Sequence, residues 1–333
     1  MGETVHSIVD NAEVLKPDDY EILILDSGSS DNTPGEVASL MEQYKNVRYR
    51  RTEHRGGIDN DLNLAVSFVN GRYIWLFSGD DLLVPGWDRY VEALLSGNDV
   101  VLVPTTLCNV DMTERRANPI FRLTHDENKV CFRVCERDGS LAAYLQSANS
   151  LDALFGFMSS VIVRSEFWHS LPERRDYFGS CWAHCARIIQ GFQDGCSIAY
   201  LPRFLIRKRG GNDSFMEKGF VGRIGISVIG WKRIIEEFFE KSKTQALVYA
   251  LLRHDISIAL FLYGKVSART SDEFLQLKGM ARELYDEKYP TSISKFQHKL
   301  FLFAPVAPWM APMINGLLPY AIRVRHWFKK RLA

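Results

Sequence analysis

Cysteine is scarce. Six in 333 residues (Cys108, Cys131, Cys135, Cys181, Cys185 and Cys196) are too few to staple a chain of this length as a disulfide scaffold. An excess of either charge is also missing, since 41 Lys and Arg face 40 Asp and Glu and leave a net charge of +1. A protein that meets nucleic acid over its surface carries a clear basic excess, so no nucleic-acid partner is expected. Low-complexity runs and internal repeats are absent, and 46% hydrophobic with 24% charged residues excludes a disordered or fibrous chain. The start, Met1-Gly2-Glu3-Thr4-Val5-His6, lacks the basic segment and apolar core of a secretory signal. These absences predict a globular chain kept in a reducing, cytoplasmic compartment.

What is present first is an alternation of short apolar runs with helical stretches, the pattern of an α/β domain. Glu21 to Leu25 reads as a strand buried on both faces, ending in the turn cluster Asp26-Ser27-Gly28-Ser29-Ser30-Asp31-Asn32-Thr33. A helix through Val37 to Tyr44, a strand at Val47 to Arg51 and a helix at Asp59 to Val69 follow. Tyr73 to Phe77 reads as another strand, then Pro85-Gly86 opens a helix to Leu95, and Asp99 to Pro104 is the next strand. Further on, a strand is expected at Met158–Val163, a helix at Trp182–Gln190 and a strand from Ile198 to Arg207. Helices then fill Phe220–Lys241, Thr244–Tyr263 and Ser271–Tyr285.

The end of the chain differs. Leu300 to Ile322 contains no charged residue, a length that could cross a bilayer, yet Pro305, Pro308, Pro312 and Pro319 argue against one straight helix. The last eleven residues, Arg323 to Ala333, hold five Lys or Arg and no acid. Aromatic residues interleaved with those cations fit a broken segment lying in a membrane interface, where each basic residue gains about 1 kcal/mol from anionic lipid. The other reading is an arm packed on the protein's own helical region.

Carboxylates at strand ends carry the chemistry. In open α/β sheets the ligand crevice lies at the carboxyl ends of the strands, and Asp26 and the pair Asp80-Asp81 both stand at such ends. Adjacent acids repel, so a cation is the usual compensation; from the residues alone a solvated helix start remains open. The order Glu21-Ile-Leu-Ile-Leu-Asp26-Ser-Gly28-Ser29-Ser30-Asp31-Asn32-Thr33, then Arg55-Gly56-Gly57-Ile58-Asp59-Asn60-Asp61, then Asn70-Gly71-Arg72-Tyr73-Ile74-Trp75-Leu76-Phe77-Ser78-Gly79-Asp80-Asp81 resembles the nucleotide-sugar half of family-2 glycosyltransferases. The Gly79-Asp80-Asp81 variant and Arg207-Lys208-Arg209-Gly210-Gly211-Asn212-Asp213-Ser214-Phe215 are similar to a branch of O-antigen abequosyltransferase-like enzymes.

The resemblance implies an α/β, GT-A (Rossmann-like nucleotide-diphospho-sugar transferase) domain, placed at residues 1–215; the residue pattern adds a helical region at 216–298 and an apolar and basic membrane-interface tail at 299–333. The resemblance also implies transfer of a sugar from a nucleoside-diphosphate sugar to an acceptor hydroxyl; with the C-terminal arm, the expected acceptor is a lipid-linked saccharide in surface polysaccharide assembly, met on the inner face of the cell membrane. Asp26, Gly28 and Ser29 would face the nucleotide, Gly57 and Asp59 would flank the donor, and Arg209, Asn212 and Ser214 would meet the diphosphate. Asp80 with Asp81 would hold Mg²⁺ or Mn²⁺ on the leaving group. Two departures stand out: Ser78 replaces the first metal-motif Asp, and the family's opening apolar strand, central in the sheet, does not precede the helix expected to end at Ser7-Ile8-Val9.

The family's acidic pair before a helix falls on Ser180 to Cys185, which holds no carboxylate. His184 is the candidate general base there, with Asp176 second; an ordinary helix histidine is the alternative. Cys131-x₃-Cys135 and Cys181-x₃-Cys185 are read as free thiols rather than zinc ligands. A degenerate relative that binds sugar nucleotides without turnover, or a nucleotidyltransferase of like architecture, remain the competing functions. The second would need a Gly-rich basic phosphate loop near the start, which is not visible.

Overall fold

The computed structural model describes residues 1–91, 97–113, 115–122, 130–212 and 214–304. The chain divides into two compact units, Met1–Asn212 and Asp213–Ala333.

Unit 1 opens with α1 (Gly2–Val9), then β1 (Ile22–Asp26), α2 (Thr33–Gln43), β2 (Val47–Arg51), α3 (Ile58–Ser67), β3 (Tyr73–Trp75), β4 (Leu82–Leu83), α4 (Trp87–Val91), β5 (Val100–Leu102), β6 (Thr105–Cys108) and β7 (Arg115–Asn118). It continues through β8 (Val130–Val134), α5 (Ser140–Ser147), β9 (Val161–Arg164), α6 (Ser165–Ser170), α7 (Ala183–Ile189), β10 (Cys196–Tyr200) and β11 (Ile206–Lys208). Among the described residues three sheets result: β1-β2, parallel; β3-β9-β5-β10-β8; and β4-β11-β6-β7. The α/β class and GT-A fold expected from the sequence are what the structure has.

Several expectations are corrected. Strand β1 is not buried on both faces: only Ile24 and Asp26 are buried, because among the described residues it pairs with β2 alone. No ladder joins β1 to β3 among the described residues, and this seam is where the family's opening strand was expected. Helix α1 packs against both sides of it. Val5 enters a core with Ile24, Val37, Leu40 and Val47, while Thr4 Oγ1 donates to the Gly79 carbonyl (2.8 Å) and Ser7 Oγ accepts from Leu83 N–H (3.0 Å). The run Ile198 to Arg207 is two strands in two sheets, β10 and β11, separated by Pro202, whose missing N–H cannot serve a ladder. The first part of Met158–Val163 is a 3-10 turn, Met158–Ser160, with the strand starting at Val161. Of the helix expected from Pro85-Gly86 to Leu95, Trp87–Val91 is helical and the remainder lies outside the described residues.

Unit 2 is helical: α8 (Gly219–Phe238), α9 (Ser242–Asp255), α10 (Ile258–Ser267), α11 (Ser271–Arg282), which runs into a π-helical turn at Glu283–Glu287, and α12 (Ser292–Phe303). The single helix expected over Thr244–Tyr263 is two, bent by 53°. Among the described residues no single helix is long and apolar enough to cross a membrane. Most of the tail, residues 305–333, lies outside the described residues.

Candidate active site

The C-terminal end of β1 delivers Asp26 into a closed set of donors. Its carboxylate accepts from Ser29 N–H (2.8 Å), Ser29 Oγ (2.9 Å) and Tyr49 OH (2.6 Å), with Arg51 Nε at 3.5 Å. Burial pushes the Asp26 carboxyl up, but these hydrogen bonds and the Arg51 charge outweigh it and hold it below the usual carboxylate range. The turn that bends the chain back requires Gly28. Its φ is +69°, and a Cβ there would stand 3.1 Å from the Glu53 carbonyl oxygen. Thus Asp26, Gly28 and Ser29 are brought together; Tyr49, on β2, was not singled out from sequence, because nothing local marks a tyrosine across a parallel pair.

The end of β3 carries the second group. Asp80 is half-buried, and its carboxylate accepts from Ser78 Oγ and from the Asn212 side-chain amide. Asp81 is 2% exposed and accepts from Ser159 Oγ (2.6 Å) and Arg209 N–H (3.0 Å). Burial raises the Asp81 pKa to about 6, with the Asp80 charge adding to it and the Ser159 hydrogen bond opposing it. Ser159 also accepts from Ser78 N–H (3.0 Å), so one hydroxyl pins both ends of the turn. Sequence reading missed Ser159; at 78 positions from Asp81, it gives no local signal.

The Arg209 side chain is turned onto the protein's own carbonyls and a carboxylate. Its Nε donates to the Asp80 carbonyl (3.0 Å), Nη1 to the Val110 carbonyl (2.6 Å) and Nη2 to Glu3 (2.6 Å). Its guanidinium therefore holds the Asp80-Asp81 turn to α1 and to the end of β6. Gly210 permits that approach, since a Cβ would lie 2.5 Å from the Cys108 carbonyl oxygen. Ser214 starts the short turn Ser214–Lys218, and its side chain lies outside the described residues.

Gly57 is the N-cap residue of α3, at φ +81°. Asp59, in the first turn of α3, is buried and spent on backbone. It accepts from Gly179 N–H (2.9 Å), Cys181 N–H (2.7 Å) and Ala183 N–H (3.0 Å). The loop wraps its amides round the carboxylate as a nest wraps an anion, with Gly179 at φ +89° and Cys181 at φ +73°. Such a φ at a non-glycine residue persists only where its surroundings over-determine it. Asp59 thus organises the segment in which the family's base was sought, instead of flanking a donor.

His184 does not present itself as a base. It is buried, with Nε2 3.0 Å from the Phe155 carbonyl and Cys185 Sγ at 3.4 Å. Burial lowers its pKa against the opposing pull of that carbonyl and of Asp59. A general base must reach the proton it takes, and this ring is enclosed. Asp176 is partly exposed and held by Arg174 through Nε (2.9 Å) and Nη2 (2.7 Å). The thiols of Cys108, Cys185 and Cys196 are buried and all six cysteines are free. Among the described residues no three or more His, Cys, Asp or Glu side chains gather as a metal cage.

Asp26 beyond β1 and Asp80-Asp81 beyond β3 are each seated on hydroxyl and amide donors. The family model described as Glycosyl transferase family 2 matches residues 1–151. Over 228 residues, 67% of this chain and 67% of its relative, the protein is 29% identical to abequosyltransferase RfbV of Salmonella typhimurium. A shorter stretch of 86 residues, 25% of this chain and 26% of the relative, is 29% identical to the poly(ribitol-phosphate) beta-N-acetylglucosaminyltransferase TarP of Staphylococcus aureus. Among solved structures, S. aureus TarS 1-349 in complex with UDP-GlcNAc covers 96% of this chain and 87% of its own, with a TM-score of 0.59 at 12% identity, a likeness of fold. The chain is thus similar, over these stretches, to two sugar transferases.

Proposed function

We propose that this glycosyltransferase moves a sugar from a nucleoside-diphosphate sugar to a hydroxyl of a lipid-linked saccharide, during assembly of a surface polysaccharide on the inner face of the cell membrane. The observation that carries the reading is that Asp26 stands at the carboxyl end of β1 and Asp80-Asp81 follow the carboxyl end of β3, the ends at which an α/β sheet takes its ligand. The similarity to an abequosyltransferase over two thirds of the chain supports the O-antigen setting.

The donor set fits Mg²⁺ or Mn²⁺ in a limited way. Asp80 is the half-buried carboxylate; Asp81 is turned inward to Ser159 and Arg209. A hard divalent ion that keeps waters and takes its remaining oxygens from a diphosphate needs no more than one or two such groups. Asp80 would hold it, with Asp81 behind. When bound, the ion would neutralise charge on the departing diphosphate. The chain's own residues do the rest: Asp26 orients the nucleotide end, and Arg209 with Asn212 fixes the Asp80 turn before the donor arrives, so little reorganisation is left for the reaction.

The test is release of nucleoside diphosphate from a panel of UDP-, GDP-, CDP- and dTDP-sugars, with Mn²⁺ or with chelator. Turnover that needs the ion and is lost in Asp80→Ala, with folding intact by circular dichroism, is the expected result. Full activity of Asp80→Ala would refute the metal assignment. Binding without turnover of any sugar nucleotide would favour the degenerate relative, to which the Ser78 replacement points.

A further inference from the structure

Helix α12 presents one side to unit 2 and an apolar row on the opposite side. One side is buried in unit 2: Phe301 packs edge-on to Phe261 (6.1 Å between ring centres), and Ser294 and His298 are buried beside it. Both ends of the helix are fixed. Thr291 and Ser294 form a reciprocal cap at its start, while Lys265 Nζ donates to the carbonyls of Phe301 (2.9 Å), Leu302 (3.3 Å) and Ala304 (3.0 Å) at its end. The other side carries Ile293 (72% exposed), Phe296 (68%), Leu300 (42%) and Phe303 (79%). Spacings of three, four and three residues put these four on a single face of the helix. Lys295 and Lys299 are exposed along its flank.

A rigidly mounted row of two phenylalanines, an isoleucine and a leucine in water is costly unless something covers it. Charge indicates what. From Lys288 to Ala333 the sequence contains eight Lys and Arg and not one Asp or Glu. The stretch that continues directly from Ala304 is uncharged to Ile322 and then basic. A protein partner would answer such a surface with acids; a bilayer answers it with anionic head groups over an apolar interior, which matches both the row and its cationic flank.

We propose that the outer face of α12 is a docking surface for an anionic lipid bilayer, with Ile293, Phe296, Leu300 and Phe303 entering the head-group boundary and Lys295 and Lys299 meeting lipid phosphates. Its purpose rests on the lipid-linked acceptor proposed above. The surface itself reaches upstream of the tail, into a helix the sequence pattern did not reveal.

Flotation of the full chain with phosphatidylethanolamine vesicles containing phosphatidylglycerol tests it. The double variant Ile293→Asp, Phe296→Asp should lose at least about tenfold in vesicle partition, with its thermal midpoint and elution volume unchanged, because both side chains stand in water in the free protein. Lys295→Gln with Lys299→Gln should weaken binding to these vesicles and remove much of its salt sensitivity. Unaltered vesicle binding in the aspartate variant overturns the proposal. A fall in its thermal midpoint without loss of vesicle binding overturns it in favour of residues 305–333 folding over this face, and a change from dimer to monomer in favour of a second copy. Donor turnover is read separately on the wild-type chain. Vesicle binding without turnover supports the surface and sinks the transferase reading; turnover without vesicle binding sinks the surface alone.

Discussion

Asp81 and Asp59 are both buried carboxylates, and their surroundings give them opposite consequences. The Asp81 pKa is raised to about 6, above the value near 4 of an unfolded chain. The folded state therefore holds the proton more tightly, so the stabilisation is full below pH 4 and is lost as pH rises through 6. Asp81→Asn does not titrate. In urea denaturation with chelator present, its stability relative to wild type should improve by about 2 kcal/mol between pH 4 and pH 7; a difference independent of pH would contradict the assignment. Asp59 instead serves three backbone N–H groups at once. Asp59→Asn keeps one acceptor oxygen and should cost about 3 kcal/mol in the same assay, since charge-assisted hydrogen bonds and the amides left bare each count. Were Asp59 a donor-contacting group, the variant would lose nucleotide affinity at unchanged stability. At this scale the sequence showed which residues are chemical but not which way they face. Arg209, expected on the diphosphate, spends its guanidinium on two carbonyls and Glu3, 206 positions away.

Elements were legible where one face is apolar and the other is not. The strand at Val47–Arg51 and the helix starting near Asp59 follow from their period and are where it puts them. Elements whose pattern carries no such contrast were missed. Strand β7 reads Arg-Arg-Ala-Asn, with Arg115, Arg116 and Ala117 exposed, and is made by pairing with β6. Helix α12 was hidden because the usual contrast is reversed: its buried side carries Ser294 and His298 beside Phe301, while its exposed side is apolar. The break between α9 and α10 falls at Ile256-Ser257, where neither Gly nor Pro marks it. Turn chemistry was more informative: the Asp-Ser-Gly cluster after β1 announced a sharp turn, and Gly28 adopts the left-handed φ such a turn demands. Gly28→Ala should lower stability by about 1–2 kcal/mol, through that φ and the crowding against Glu53, measurable as a reduced thermal midpoint.

For the whole molecule, the site depends on contacts that no local pattern encodes. Ser159 reaches Asp81, Ala183 reaches Asp59 and Arg209 reaches Asp81 across 78, 124 and 128 positions. What the sequence carried was the order of three motifs, and that sufficed for the fold because strand ends carry the ligand crevice wherever this topology forms. The region beyond α12 adds a further expectation. Removing residues 305–333 should reduce partition into anionic vesicles without abolishing it, because the outer face of α12 remains; complete loss would place all lipid contact in the tail. The central claim, that the ends of β1 and β3 form one donor site, is tested most directly by calorimetric titration of UDP, GDP, CDP and dTDP with Mn²⁺ into wild type, Asp26→Ala and Asp80→Ala. One nucleotide binding with a stoichiometry of about one per chain, and weakened at least about tenfold by either substitution, is the predicted result. Binding unaffected by both substitutions, or no binding of any of the four, would contradict it.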